Sequence, residues 1–122
     1  MNRFTHFELV TPDFERTAAF YRAVLGWDIS KWEGPVDYWN VTTGDPSTPG
    51  LNGGLMPEGG PFHGTINTVE VEDIDAILAK VVAHGGEILL PKEAIPFVGY
   101  QAYVRDNVGI IFGLHQAYPD AE

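Results

Sequence analysis

The strongest constraint in this 122-residue sequence is that its two halves share one layout. Residues 4–10, FTHFELV, alternate as a strand does, and TPDFERTAAFYRAVLG then reads as a helix with Phe14, Ala18, Tyr21 and Leu25 at helical spacing. Asp13 is placed to cap that helix and Gly26 to end it. Sixty residues later the pattern returns in INTVEVEDIDAILAKVVAHGG, with Asp73 as the cap, Ile74, Ile77, Leu78 and Val81 as the apolar stripe, and Gly86 as the stop. Each helix is followed by three short strand candidates: WDISKWE, VDYWNVTTG and LNGGLM in the first half, EILLPKEA, GYQAYVRD and VGIIFGLHQ in the second. A strand, a helix and three strands written twice outranks any local reading. The expected organisation is one domain over 1–122, built of a module near 4–58 and a module near 65–116.

Between the modules, residues 44–64 hold eleven Gly or Pro in twenty-one positions, which reads as a loop around one short strand and then a linker. A flexible linker would also allow half-domains to exchange between two copies. Strand alternation sets the faces. Phe7 and Leu9 oppose His6, Glu8 and Val10; Val69 and Val71 oppose Ile66, Thr68 and Glu70; Ile110, Phe112 and Leu114 oppose Ile111, Gly113 and His115. The apolar set should pack on the helices, and the mixed set should line an open, cup-like face suited to a ligand.

Composition narrows the partners. Seventeen acidic against seven basic residues give a formal charge of −10. That disfavours nucleic acid and anionic membranes, both of which need a positive footprint. It suits a cationic small ligand, and equally plain solubility. The absence of cysteine removes disulfides, thiolate metal sites and cysteine nucleophiles. No apolar run approaches a membrane span and the first residues lack a signal-peptide pattern, so a cytoplasmic protein is expected. No G-x-S-x-G elbow occurs and no glycine-rich loop ends in G-K-[ST], so those chemistries are set aside.

The stretches HFELVTPDFERTAAFYRAVLGW, VEVEDIDAILAKVVAHGGEILLPK and YVRDNVGIIFGLHQ resemble the vicinal oxygen chelate superfamily, the glyoxalase, bleomycin-resistance and dioxygenase proteins. PKEAIPFVGY followed by FGLHQ is similar to its single-domain bacterial subgroup. The resemblance implies an α+β fold, two βαβββ modules whose eight strands make an incomplete barrel, and a homodimer. It also implies a divalent metal held from four positions. The first falls on His6, the second on LNGGLMP, the third on Ile66 and the fourth on Gly113. Only His6 carries a donor, and a metal site needs about three protein ligands. No metal cofactor is therefore expected. A rearranged set of His6, Glu8, Glu70 and His115 could hold Zn, Mn or Fe, but their spacing fixes no common point. Gly113, empty of a side chain, should leave the floor of the cup wider.

Without a metal, His6 and Glu8 are the catalytic candidates, two residues apart on one face and about 7 Å from each other, able to move a proton between adjacent carbons. They serve equally well to orient a ligand. The aromatics Trp27, Trp32, Tyr38, Trp39, Phe97, Tyr100 and Tyr103 lie in or beside strands, and only one of Tyr38 and Trp39 can face the cup. If Tyr100, Ala102 and Val104 face the helices, Gln101 and Tyr103 face the ligand. His63 and His84 are expected in solvent. The ligand-binding set is thus His6, Glu8, Tyr38, Glu70, Gln101, Tyr103, Gly113 and His115. The leading expectation is a metal-free protein that holds a small organic molecule, planar or cationic, as antibiotic-sequestering relatives do. The alternatives are a lyase, isomerase or dioxygenase with rearranged metal ligands, acid–base catalysis by His6 and Glu8, or an auxiliary domain with a protein partner.

Overall fold

The computed structural model describes residues 1–118. The chain order is β1 (Arg3–Thr11), α1 (Phe14–Leu25), β2 (Asp28–Lys31), β3 (Trp39–Thr42), β4 (Gly53–Pro57), β5 (Thr65–Glu70), α2 (Ile74–Ala83), β6 (Glu87–Ile95), β7 (Gly99–Arg105) and β8 (Ile111–Ala117). This is the α+β class, with βαβββ written twice. The chain divides into two compact units, His6–Ile66 and a second made of Met1–Thr5 with the residues from Asn67 onward.

Both units use the same pairing scheme. In the first, the strands run β2-β3-β4-β1, with β1 parallel to β4 and the other pairs antiparallel. In the second the order is β5-β8-β7-β6, with β5 parallel to β8 and the rest antiparallel. A parallel pair needs a crossover connection, and each module's helix and outer strands supply it.

The helices begin as their sequences imply. Asp13 and Asp73 both have extended backbones, and each carboxylate accepts a hydrogen bond from the backbone N–H three residues on, Arg16 and Ala76. Gly26 ends α1 in the left-handed conformation at φ 70°. The expected stop at Gly86 is displaced: α2 ends at Ala83, and Gly85 takes the left-handed turn at φ 90°. Gly86 has another task. A Cβ there would stand 2.7 Å from the Arg105 carbonyl oxygen, so only glycine lets the chain pass that close to β7.

Each helix covers one face of its own strands. In the first unit Ala18 packs with Ile29, Val41 and Leu55, flanked by Phe7, Leu9, Phe14, Tyr21, Trp27 and Trp39. In the second, Ile74 and Leu78 pack with Val71, Ala102, Val104 and Leu114, beside Val69, Tyr100 and Phe112. These lists settle two alternatives. Trp39 faces α1, and Tyr100, Ala102 and Val104 face α2, so Gln101 and Tyr103 lie on the far side of β7. Ile110 is an exception to the expected alternation. It precedes β8 in an exposed turn, where its N–H donates to Asp106 Oδ1 at 2.9 Å. That turn also takes the Val108 N–H, and the two donors hold the Asp106 carboxyl below its usual range. No helix among the described residues is long and apolar enough to cross a membrane.

Because the two caps sit in separate units, their contributions should add. Asp13→Ala and Asp73→Ala are each expected to lower stability by about 1 kcal/mol, and the double variant by about the sum. Urea unfolding followed by far-UV circular dichroism would measure this; a cost near zero at either site would show that the cap is not holding its helix.

Candidate functional site

The face of each module turned away from its helix carries the polar side chains. In the first unit the lateral row is Asn40, Gly54 and Glu8, set by the β3–β4 and β4–β1 registers. In the second, Thr68, Gly113 and Tyr103 share a row, and Glu70, His115 and Gln101 the next. The repeat therefore puts a glycine at the same place in both modules, on the strand that pairs in parallel with the first. Gly54 is the counterpart of Gly113.

In the first unit that gap is filled by Tyr38. Its ring lies over Gly54 so closely that any Cβ there would overlap the phenol. The phenol reaches His6, with Tyr38 Oη 2.6 Å from Nε2 and the two rings nearly parallel at 15°. Trp32 meets Tyr38 edge-on at 5.9 Å, and its backbone N–H donates to the Tyr38 carbonyl at 2.8 Å. Burial pushes the His6 imidazole below its ordinary 6.5, because a charged ring is costly away from water. The neutral ring pairs with the phenol hydroxyl through Nε2, the hydroxyl being able to give or take the proton according to the tautomer. Glu8, on the same face, is only 4% exposed.

The second unit fills its gap differently. Thr68, 1% exposed, and Gln101 both crowd the place where a Gly113 Cβ would stand, with Gln101 Nε2 at 2.9 Å. Gly113 thus does not widen the face as expected; it lets neighbouring side chains close over the strand. His115 Nδ1 lies 3.0 Å from Gln101 Oε1, and since an amide oxygen only accepts, the imidazole donates. The other end of that amide points at Thr68 Oγ1 across 3.5 Å. His63 and His84 are exposed, as expected.

The four metal positions that the resemblance implies do not fit a metal. His6 has a donor nitrogen, already met by Tyr38. β4 offers no side-chain oxygen or nitrogen, Ile66 is 1% exposed and apolar, and Gly113 has no side chain. Among the described residues, no group of three or more His, Asp or Glu side chains is placed to hold an ion. The structure thus brings together His6 with Tyr38, and His115 with Gln101 and Thr68. Trp32 was not in the expected ligand-binding set, although the alternation of VDYWNV already put Tyr38 opposite Trp39. The pointer to it was the double glycine of LNGGLM, which leaves room for a ring on the neighbouring strand.

Residues 3–44 match the family model of the bleomycin resistance protein-like N-terminal domain. The chain is 28% identical over 120 residues to "Putative glyoxylase CFP32" of Mycobacterium tuberculosis and of Mycobacterium bovis, covering 90% of this chain and 44% of theirs. It therefore spans about half the length of those relatives. Among solved structures, a Streptomyces coelicolor methylmalonyl-CoA epimerase variant bound to 2-nitronate-propionyl-CoA superposes with a TM-score of 0.71 at 17% identity, over 100% of this chain and 99% of that one. A hypothetical protein from Bacillus halodurans gives 0.70 at 12% identity over 98% and 97%. At those identities the likeness is one of fold. These matches show a chain similar over its first third to the bleomycin resistance protein-like N-terminal domain, with a twofold βαβββ fold shared with the solved epimerase structures.

The lowered His6 value carries a pH signature. A histidine buried neutral must take up a proton on acidification, so the unfolded state binds more protons below 6.5. Stability held above pH 6.5 is therefore lost as the pH falls through the lower folded value, with a slope of at most about 1.4 kcal/mol per pH unit. Subtracting the profile of His6→Gln from that of the parent should isolate this loss. Coincident urea midpoints for the two at pH 7.5 and pH 5, apart from a constant offset, would show that His6 is not buried neutral.

Proposed function

We propose that this protein binds a small organic molecule on the polar face of its first module, without the divalent metal of its catalytic relatives. The observation that carries this reading is the Tyr38 ring laid over Gly54 and hydrogen-bonded to a desolvated His6. Such a pair offers what a ligand pocket needs: an apolar aromatic wall and polar groups fixed beside it. Trp32 extends the wall, and the ring faces favour planar or cationic groups. The unfit donor set supports binding by stacking and hydrogen bonding rather than by chelation. The bleomycin-resistance and glyoxylase relatives agree with a ligand of metabolite or drug size.

Native mass spectrometry of the purified protein, followed by a thermal-shift screen of planar cations and aromatic metabolites, would find the ligand. A compound present at about 100 times its Kd should stabilise the fold by about 2.7 kcal/mol. Against such a compound, Tyr38→Phe should keep the ring and lose the hydrogen bond to His6, weakening binding about tenfold. Gly54→Ala should displace the ring and weaken binding further. If both variants bind as the parent does, the ligand lies elsewhere.

A further inference from the structure

A groove of about 550 Å³ opens in the first unit, away from the Tyr38–His6 pair, between the start of α1 and residues 64–65. Leu9, Val10 and Pro12 give it an apolar lining, and Arg16, Phe20 and Tyr21 form its helical wall. Its volume lies within the range typical of small-ligand sites.

Three of the polar side chains lining this groove are already spent on one another or on the helix backbone. Thr11 Oγ1 and Thr17 Oγ1 share a hydrogen bond at 2.6 Å, Thr17 Oγ1 donates to the Asp13 carbonyl at 2.8 Å, and the Asp13 N–H donates to Thr11 Oγ1 at 3.0 Å. The Asp13 carboxylate is taken by the Arg16 backbone N–H. Tyr21 is stacked on Trp27 at 5.0 Å and held edge-on by Phe20 at 5.2 Å. Of the groups left, two suit an aromatic anion. Phe20 is 58% exposed, and the Arg16 guanidinium has no ion pair or hydrogen bond among the described residues. They stand four residues apart, so they are neighbours on one helix face.

We propose that this groove is a second binding site, taking a small planar aromatic acid with its ring against Phe20 and its carboxylate on Arg16. A guanidinium grips a carboxylate through two parallel N–H bonds, while a neighbouring ring adds stacking. The charge on the ligand is limited to one. Asp13 borders the same groove, and a phosphate or dicarboxylate would bring a second negative charge towards it. A cationic ligand is excluded by Arg16 itself. The site is independent of the Tyr38–His6 face, so either can fail without the other.

The test titrates ¹⁵N-labelled protein with benzoate and, separately, with neutral benzamide. Benzoate should shift amide signals in residues 9–21 and 64–65, with about tenfold higher affinity than benzamide. Arg16→Gln should erase that difference, Phe20→Ala should weaken both probes, and Arg16→Lys should fall between parent and Gln. Both side chains are exposed, so the variants should melt with the parent; should one unfold, Arg16→Lys carries the test. Equal binding of the two probes, full benzoate affinity in Arg16→Gln, no shifts up to the solubility limit, or shifts confined to Tyr38 and His6 would each overturn the proposal.

Discussion

An aromatic ring can lie flat over a β-strand only where that strand has no side chain of its own, and this is the constraint on which the first module's polar face depends. Tyr38 precedes β3, and its ring must cross β4 to reach His6 on β1. A Cβ at position 54 would occupy the volume of the phenol. Gly54 therefore decides whether Tyr38 meets His6, and that contact in turn removes the imidazole from water. The contact of His6 with the phenol and the edge-on seat of Trp32 both follow from one missing side chain.

The second module has the same glycine and a different answer. Gly113 sits in the row of Thr68 and Tyr103, yet the gap is closed by Thr68 and Gln101 rather than by a ring. A duplicated backbone thus supports two unlike polar clusters. One joins an aromatic phenol to a desolvated imidazole. The other joins an amide, a hydroxyl and an imidazole that is a donor at Nδ1. The scaffold sets where the gaps fall; the residues beside each gap set the chemistry.

Much of this architecture could be read from residues alone, for a physical reason. Helix caps and alternating strands are local signals, and a repeat lets each be checked against its copy. Asp13 and Asp73 cap as expected, and the six short strands fall where they were placed. What escaped was non-local. Gly86 has the look of a helix stop, but the turn is made at Gly85, and glycine at 86 answers to Val81 in the preceding helix and to Arg105 nearly twenty residues away. Gly113 suggested open space because a sequence shows the side chain that is missing and not the neighbours that fill the gap. The Arg16–Phe20 groove was invisible for the same reason, since a helical i, i+4 pair carries no information about what is left unpaired around it.

The strand positions that the resemblance assigns to a metal obey the same constraint. A strand position without a side chain leaves a gap of a few atoms, and close-packed interiors do not tolerate such gaps. In both modules the space has been taken by adjacent groups: the Tyr38 ring at Gly54, Thr68 and Gln101 at Gly113. A carboxylate placed at either glycine would therefore meet an occupied volume before it met an ion. At position 113 it would have to displace Gln101 from His115, and at position 54 it would expel the ring from His6. A donor placed at either glycine would thus have to displace a polar cluster and not merely fill a vacant position. Those clusters, Tyr38 with His6 and Gln101 with Thr68 and His115, are what a ligand on either polar face would meet.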